Sequence, residues 1–302
     1  MSILSRRIRL GFGLSDRKRD AGLTTPEDIE RFDDIVYGRS KKWQSLDVYR
    51  PKNAKTLPVI VSIHGGAWMY GSKEVYQWYC MSLAQRGFAV VNFTYRLAPE
   101  YKYPSGIEDA NTVFQWVLDH ADEYQFDTEH IFAVGDSAGG HMLSVCATMY
   151  SNPEFAAKFS FEMAAKKHED GSETPFKPTA IALNCGVYRL GIGPETREMD
   201  RAILKELLKE ETKEQLELLN PFPFMTKKFP PTYIMMANND TAVDAAQGKM
   251  LKVRLKELRV PYIDKVYGTE ENPLGHVFHC NIKTEDAKIC NDDECEFFRG
   301  YM

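Results

Sequence analysis

The chain has 302 residues, 43% of them hydrophobic and 27% charged, a composition typical of a globular protein rather than a disordered or fibrous one. Its net charge of −5 gives no general attraction to phosphate groups, so we expect neither nucleic acid nor a membrane as a partner. The basic amino terminus lacks the apolar core of a secretion signal. We therefore expect a cytoplasmic protein.

Apolar segments rich in β-branched residues alternate with segments of helical period, which predicts an α/β protein with a mostly parallel central sheet flanked by helices. Buried strands are predicted at residues 59–63, 89–95, 131–134, 179–183, 232–236 and 262–266. Two earlier segments with weaker alternation are predicted as more exposed edge strands, at 33–37 and 45–49. Helices are predicted at 73–86, 107–124, 139–150 and 242–259, with a short helix beginning at Thr25.

Two long segments do not fit this alternation: residues 151–178, and residues 191–230 with a charged helix predicted over 195–219. Each follows a predicted strand, where insertions over an active site are common. Together with residues 1–40 we interpret them as a helical cap on a single domain that spans residues 1–302. The two insertions are dense in Lys and Glu and carry no long apolar stripe, so we expect a dissolved rather than a lipid-aggregated substrate.

Ser137 lies at the centre of a Gly-Asp-Ser-Ala-Gly sequence between the predicted strand 131–134 and the predicted helix 139–150. This is the pattern of a hydrolase nucleophile, because a tight strand-to-helix turn tolerates no bulky side chain two residues before or after the serine. The helix N-terminus also favours the negative charge that develops during acyl transfer. A glycine-serine turn without chemistry is the alternative. The adjoining strand and helix favour Ser137 as a nucleophile.

A His-Gly-Gly-Ala-Trp loop follows the strand predicted at 59–63, well before Ser137 in the chain. Two consecutive glycines let backbone N–H groups come close to a substrate, and an oxyanion hole requires such donors. We predict that these donors are Gly65, Gly66 and Ala138. The bulky residues that follow the glycines are candidates for the wall of a substrate pocket, with core packing as the alternative: Trp68, Met69 and Tyr70.

The base and the acid of a serine triad are expected downstream of the nucleophile, in the order serine, acid, histidine. Of the seven histidines, only His276 and His279 lie beyond the last predicted strand, and we favour His276 because it lies on a loop. Asp240 directly follows the strand predicted at 232–236, with Asp244 as the second choice. Asp136 is adjacent to the nucleophile, so we expect it to brace the turn instead.

Three motifs together resemble the hormone-sensitive-lipase-like branch of the α/β-hydrolases: HGGAW at 64–68, YRLAPE at 95–100 and GDSAGG at 135–140. The resemblance extends from about residue 59 to residue 278 and implies the α/β-hydrolase fold, with Asp240 as the acid and His276 as the base. Most members are carboxylesterases, so it implies a serine enzyme that cleaves small carboxylic esters through an acyl-enzyme, without a cofactor. This chain departs from the family at Ala67, where many members have glycine, and at Thr241 and Ala242, where Pro-Leu is usual.

Two other functions share these motifs. An arylformamidase-like amide hydrolase would have the same loop and triad, whereas a non-catalytic ligand-binding relative usually lacks a triad residue. All three triad candidates are present, so a small-molecule ester of short acyl chain is the expected substrate, and a homodimer is left open. A zinc site is disfavoured because its candidate ligands contain no Cys-x-x-Cys pair: His276, His279, Cys280, Cys290 and Cys295.

Overall fold

An eight-stranded sheet runs through the molecule, in a computed structural model that describes residues 2–191 and 196–302. The strands in chain order are β1 (Ile29–Val36), β2 (Ser45–Pro51), β3 (Leu57–Ile63), β4 (Ala89–Thr94), β5 (Phe126–Asp136), β6 (Ala165–Lys167), β7 (Glu173–Pro175), β8 (Ala180–Asn184), β9 (Thr232–Ala237) and β10 (Tyr262–Tyr267). Their order in the sheet is β1-β2-β4-β3-β5-β8-β9-β10, and β6 pairs with β7 in a separate hairpin. Strands β1 and β2 pair antiparallel, as do β2 and β4, and the other pairings within the sheet are parallel.

Helices cover both faces of this sheet. They are α1 (Ile3–Asp20), α2 (Lys73–Ala84), α3 (Ser105–Asp119), α4 (Ala121–Tyr124), α5 (Ala138–Ser151), α6 (Pro153–Ala156), α7 (Glu198–Leu207), α8 (Lys213–Leu219), α9 (Ala246–Leu258) and α10 (Glu285–Arg299). Apolar side chains of α3, α5 and α9 form one core with Val59 and Val61 of β3, whereas those of α2 and α10 form a second core with Ile60. None of the described helices is long and apolar enough to cross a bilayer.

The predicted parallel strands are all present, but burial differs from expectation at the two edges of the sheet. We predicted β2 as an exposed edge strand, and this was wrong, because β2 lies between β1 and β4 and residues 45–50 are buried. Strand β10, predicted as buried, is the opposite edge strand and leaves Ile263 45% and Val266 60% exposed. Strand β2 is covered on both faces, and such a strand shows no regular alternation of polar and apolar residues. Strand β10 has a neighbour on one side only, and such an edge strand tolerates exposed residues.

Three helix predictions also needed correction. The predicted helix 107–124 is interrupted at His120, whose φ of −113° and ψ of 19° lie outside the helical range. No helix begins at Thr25; instead the chain turns there, with the Ile29 N–H donating to the Pro26 carbonyl, and enters β1. The predicted helix 195–219 begins at Glu195, which lies outside the described residues, and is otherwise divided into α7 and α8.

The two insertions that the sequence analysis interprets as cap segments lie in different parts of the fold. Helix α8 approaches the nucleophile helix, because the Leu219 carbonyl lies 2.8 Å from Nε2 of His141 in α5, and Leu207 of α7 lines a cavity together with Met142 of α5. The β6–β7 hairpin lies elsewhere: Lys166 pairs with Glu129, in the half of β5 remote from Ser137. Residues 165–175 therefore do not cover the predicted nucleophile, contrary to the sequence interpretation of 151–178.

Candidate active site

Ser137 lies at the junction between β5 and α5, in a strained backbone conformation with φ of +51° and ψ of −118°. Its N–H donates to the Asn184 carbonyl over 2.9 Å, and its carbonyl accepts the N–H of His141 over 3.1 Å. A Cβ atom on Gly139 would overlap the carbonyl oxygen of Ile63, which explains the glycine at that position. The turn therefore holds Ser137 in one conformation at the start of a helix, as a nucleophile elbow requires.

His276 and Asp240 form a hydrogen-bonded pair, with 2.7 Å between Nδ1 of the imidazole and Oδ2 of the carboxylate. The other carboxylate oxygen of Asp240 accepts the N–H groups of Ala242 and Val243, each over 2.9 Å. Burial raises the pKa of Asp240, but the hydrogen bond to His276 and these N–H groups outweigh burial and hold that pKa below its usual value. The carboxylate is thus ionised and fixed, which suits an orienting acid.

Of the predicted alternatives, neither Asp244 nor His279 joins this pair. Asp244 accepts the N–H of Ala246 over 2.8 Å at the start of α9. His279 is fully buried, and its ring lies edge-on to Tyr79 with 4.9 Å between centroids. Burial lowers the pKa of His279 to about 3, so it remains neutral near pH 7. Both residues have roles in packing or capping.

The glycine-rich loop turns sharply through left-handed backbone conformations, with φ of +113° at Gly66, +52° at Ala67 and +58° at Trp68. The Gly65 N–H, predicted as an oxyanion donor, donates instead to Oδ1 of Asp136 over 3.1 Å and to the Tyr76 hydroxyl over 3.0 Å. That prediction is corrected because this N–H is already used within the protein. In the part of the chain that the structure describes, the N–H groups of Gly66, Ala67 and Ala138 have no hydrogen-bond partner.

Asp136 connects the loop to the elbow, as expected for a bracing residue. Its buried carboxylate accepts the Gly65 N–H and, over 2.7 Å, the hydroxyl of Tyr76. Burial raises the pKa of Asp136 to about 6, although these hydrogen bonds oppose the increase. The carboxylate therefore fixes the position of the loop relative to Ser137.

His64 supports the same loop from the end of β3. Its Nδ1 lies 2.7 Å from the Gly65 carbonyl, and its ring stacks on Tyr95 with 4.1 Å between centroids. The Tyr95 hydroxyl donates to the His64 carbonyl over 3.0 Å. Burial lowers the pKa of His64 to about 4, so the imidazole is neutral and structural at pH 7.

The three residues predicted as pocket walls lie in different environments. Met69 is fully buried in the core and therefore does not wall a pocket, contrary to expectation. Tyr70 packs under α1, where its hydroxyl donates to Oδ2 of Asp16 over 2.7 Å and its ring meets Phe12 edge-on. Trp68 donates from Nε1 to His141 over 3.2 Å and lines a small cavity of about 10 Å³ together with Met142 and Leu207.

The sequence analysis missed a series of buried hydrogen bonds that links the elbow to α10 and α2. Asn184, whose carbonyl accepts the Ser137 N–H, donates from Nδ2 to Glu294 of α10 over 2.6 Å. The other oxygen of Glu294 accepts the Tyr79 hydroxyl over 2.7 Å, and burial raises the pKa of Glu294 to about 7. A glutamate between Cys290, Cys295 and Phe298 on an otherwise apolar helix face was the available signal.

The ligands of the rejected zinc site are not gathered. Of that set, His279 and Cys280 lie with Asp136 in one buried group, and His276 lies with Cys185 and Asp240 in another. Within each group the potential ligand atoms are within 4.8 Å of one another. The carboxylates of both groups are already hydrogen-bonded, to Tyr76 and to His276, and the six cysteines are buried free thiols.

Comparison with known protein families gives a match to the BD-FAE family model over residues 46–255. Among curated proteins, Esterase LipC of Mycobacterium tuberculosis is 25% identical over 233 residues, which cover 74% of this chain and 54% of that protein. Carboxylesterase NlhH of the same organism is 39% identical over 104 residues, 34% of this chain and 33% of that protein. The chain spans about half the length of the curated relatives, such as LipC, that it matches over most of its own length.

Solved structures show the same architecture. Esterase B from Lactobacillus rhamnosis superposes with a TM-score of 0.84 and 26% identity, covering 99% of this chain and 97% of that one. An esterase from Pyrobaculum calidifontis superposes with a TM-score of 0.78 at 22% identity, covering 99% of this chain and 93% of that one. The α/β-hydrolase fold predicted from the sequence is confirmed.

Proposed function

Because this chain belongs to the BD-FAE family and to the hormone-sensitive-lipase-like α/β-hydrolases, we propose that it is a serine carboxylesterase for short-chain esters. The observation that carries the proposal is the 2.7 Å hydrogen bond between His276 and Asp240 in a protein that also holds Ser137 on a strained elbow. Acyl transfer needs this combination of nucleophile, base and orienting acid. A non-catalytic relative would have no need of it.

In the proposed mechanism, His276 accepts the hydroxyl proton of Ser137 while Oγ attacks the ester carbonyl carbon. The tetrahedral intermediate collapses, and the alcohol leaves with the proton from His276. Water then attacks the acyl-enzyme with His276 again as base, which releases the carboxylic acid and restores Ser137. Asp240 holds the imidazole by Nδ1 throughout and stabilises its charged form.

We assign the oxyanion hole to the N–H groups of Gly66, Ala67 and Ala138. Ala67 replaces Gly65 in the sequence-based set, because the Gly65 N–H is bonded to Asp136. An N–H group that has no partner in the protein is available to a developing oxyanion, which such donors stabilise by several kcal/mol in a dry site. The Pro-Leu pair usual in the family after the acid is replaced here by Thr241 and Ala242, but the Ala242 and Val243 N–H groups hold Asp240.

Substitution of Gly66 tests this assignment. A Cβ atom at this position would overlap the Tyr70 carbonyl oxygen, and the φ of +113° is unfavourable for other residues. We expect Gly66→Ala to lower kcat by about 100-fold or more, the usual effect of losing one oxyanion donor. Gly11→Ala is the matched control, because no atom lies within 4 Å of a Cβ there, and it should keep full turnover. Equal turnover of p-nitrophenyl butyrate by both variants would contradict the assignment.

The preference for short acyl chains is supported by the cavity beside Trp68. Its enclosed volume is about 10 Å³, far below the range of about 300–1,000 Å³ usual for ligand pockets, and Leu207 of α7 is among the residues that line it. We infer that the close packing around Trp68 leaves no room for a long acyl or alcohol group. In this proposal the cap consists of α1, α7 and α8.

A series of p-nitrophenyl esters from acetate to palmitate, assayed beside N-formyl aryl amides, tests the substrate class. We expect kcat/KM to be highest for acyl chains of about two to six carbons, since longer chains exceed the cavity. The matched formamide should be cleaved much more slowly than the ester. A maximum at about ten carbons or beyond would show that the packing around Trp68 does not limit the acyl chain. Faster cleavage of the formamide would favour the arylformamidase-like alternative.

A further inference from the structure

The outward face of α1 carries an apolar stripe that contacts no core. Ile3, Leu10 and Leu14 are 73%, 67% and 58% exposed. At about 100° per residue these three positions point within about 40° of one another, so they form one line along the helix. All three side chains remain more than half exposed, although exposed aliphatic side chains in a row are unfavourable in water.

Cations flank this stripe on both sides. Four exposed basic residues project within about 60° of the centre of the stripe, and they are Arg6, Arg7, Arg17 and Lys18. The two acids of the helix lie on its other side, where Asp16 and Asp20 pair with Arg19. Among residues 2–191 and 196–302, none of the four flanking cations forms an ion pair. The apolar stripe and these four cations are called the α1 outer face below.

The inner face fixes this orientation of the helix. Arg9 donates from Nε to the Met69 carbonyl over 2.8 Å and forms an ion pair of 2.7 Å with Glu100. Near the other end of the helix, Arg19 donates to the Val75 carbonyl over 2.9 Å. These contacts attach α1 to the glycine-rich loop and to the start of α2. The helix cannot rotate its apolar stripe inward without breaking them.

We propose that the α1 outer face docks the protein on an anionic lipid surface. An amphipathic helix with aliphatic residues between cations is suited to lie in the plane of such a surface, where apolar insertion and electrostatic attraction act together. The net charge of −5 for the whole chain means that the remaining surface is repelled by anionic lipid, so this face would be oriented toward it.

A second copy of the chain fits this face less well than lipid does. A two-fold interface formed by the α1 outer face would bring the cations of both copies together without an acid between them, which is unfavourable. The expectation of no membrane partner was based on total charge and on the two insertions. It is revised for this face because the charge is unevenly distributed along the chain.

Docking in this orientation would bring the glycine-rich loop, and with it the proposed oxyanion hole, close to the lipid surface. The proposal concerns where the enzyme acts and does not require a long acyl pocket. Short esters that partition into the interface would be concentrated beside the site. Turnover of a dissolved ester is therefore expected to be independent of docking.

Sedimentation of the full-length protein with vesicles tests the proposal. We expect binding to phosphatidylcholine vesicles that contain phosphatidylglycerol, no binding to phosphatidylcholine alone, and weaker binding at high salt. Arg7→Glu with Arg17→Glu should lower the partition coefficient at least about 25-fold, since each cation near the surface contributes about fivefold. Leu10→Ser with Leu14→Ser should lower it at least about tenfold.

Matched controls lie on α9, where Lys249, Lys256 and Val253 are exposed. Lys249→Glu with Lys256→Glu, and Val253→Ser, should bind anionic vesicles like the unaltered protein. Each variant is folded if its turnover of dissolved p-nitrophenyl butyrate is unchanged. If the esterase proposal fails, an unchanged circular dichroism spectrum shows the same.

Three results would overturn the docking proposal. The first is no sedimentation with anionic vesicles, and the second is equal binding to both vesicle types. The third is unchanged binding by the Arg7 and Arg17 double variant. A fourth outcome would assign the face to a second copy of the chain. In that case the protein binds no vesicles but forms a dimer, and the Leu10 and Leu14 double variant no longer forms it.

Discussion

Ser137→Ala is expected to lower kcat for p-nitrophenyl butyrate by about 10⁶-fold, the size of effect seen when a serine hydrolase loses its nucleophile. Alanine keeps the backbone hydrogen bonds from the Ser137 N–H to Asn184 and from His141 to the Ser137 carbonyl. The hydroxyl itself caps no N–H of α5. The melting temperature should therefore remain close to that of the unaltered protein while turnover disappears.

A second serine on the same helix provides the control. Ser144 is fully buried about two turns after the elbow, and its hydroxyl donates to the His141 carbonyl over 2.7 Å. Ser144→Ala should keep turnover within a few-fold of the unaltered enzyme, because it removes one neutral hydrogen bond of about 1 kcal/mol. Near-normal turnover in the Ser137 variant would contradict the acyl-enzyme mechanism.

Asp240→Asn is expected to lower kcat by about 10⁴-fold with little change in stability, because an amide in place of the carboxylate favours the wrong tautomer of His276. The carboxylate lies 2.7 Å from Nδ1, and no other acid is hydrogen-bonded to that imidazole in the portion of the chain described. The loss should appear in kcat and kcat/KM equally, since the interaction with the imidazole strengthens only as charge develops.

Asp244→Asn is the matched control for the acid. Its carboxylate accepts one N–H group, from Ala246, and an asparagine oxygen serves equally well at that position. We expect turnover within a few-fold of the unaltered enzyme. If Asp244→Asn caused the larger loss, the acid would have to be reassigned and the loop between β9 and α9 would have to move to bring Asp244 to His276.

The parallel strands could be predicted because a strand covered on both faces gives a continuous apolar segment, as in Val59 to Ile63 of β3. The same rule misplaced β2 and β10. Residues 45–49 were predicted as exposed because their alternation is weak. In the structure Asp47 is buried beside Lys73, and the neighbouring Arg50 is buried beside the Tyr124 carbonyl. Apolar residues of β10 lie at an open edge, and strand order is not encoded in a strand's own pattern.

The sequence predicts which residue types form the candidate site and their order along the chain. It does not predict which backbone N–H groups are already hydrogen-bonded within the protein. Ser137, Asp240 and His276 follow from motif order, whereas the engagement of the Gly65 N–H by Asp136 depends on how a loop and an elbow far apart in sequence meet. The exposed stripe on α1 could not be predicted for a similar reason. Its direction is set by Arg9 and Arg19, whose partners lie on other elements.

The central claim is that Ser137 is the residue acylated during turnover, and mass spectrometry after treatment with an alkyl p-nitrophenyl phosphonate tests it most directly. Such a reagent phosphonylates an activated serine and releases p-nitrophenol, leaving a stable analogue of the acyl-enzyme. We predict one phosphonyl group per chain, mapped to the peptide that contains Ser137, with parallel loss of esterase activity and no labelling of the Ser137→Ala variant. Inactivation with the label on a different residue, or full labelling of the Ser137→Ala variant, would contradict the assignment.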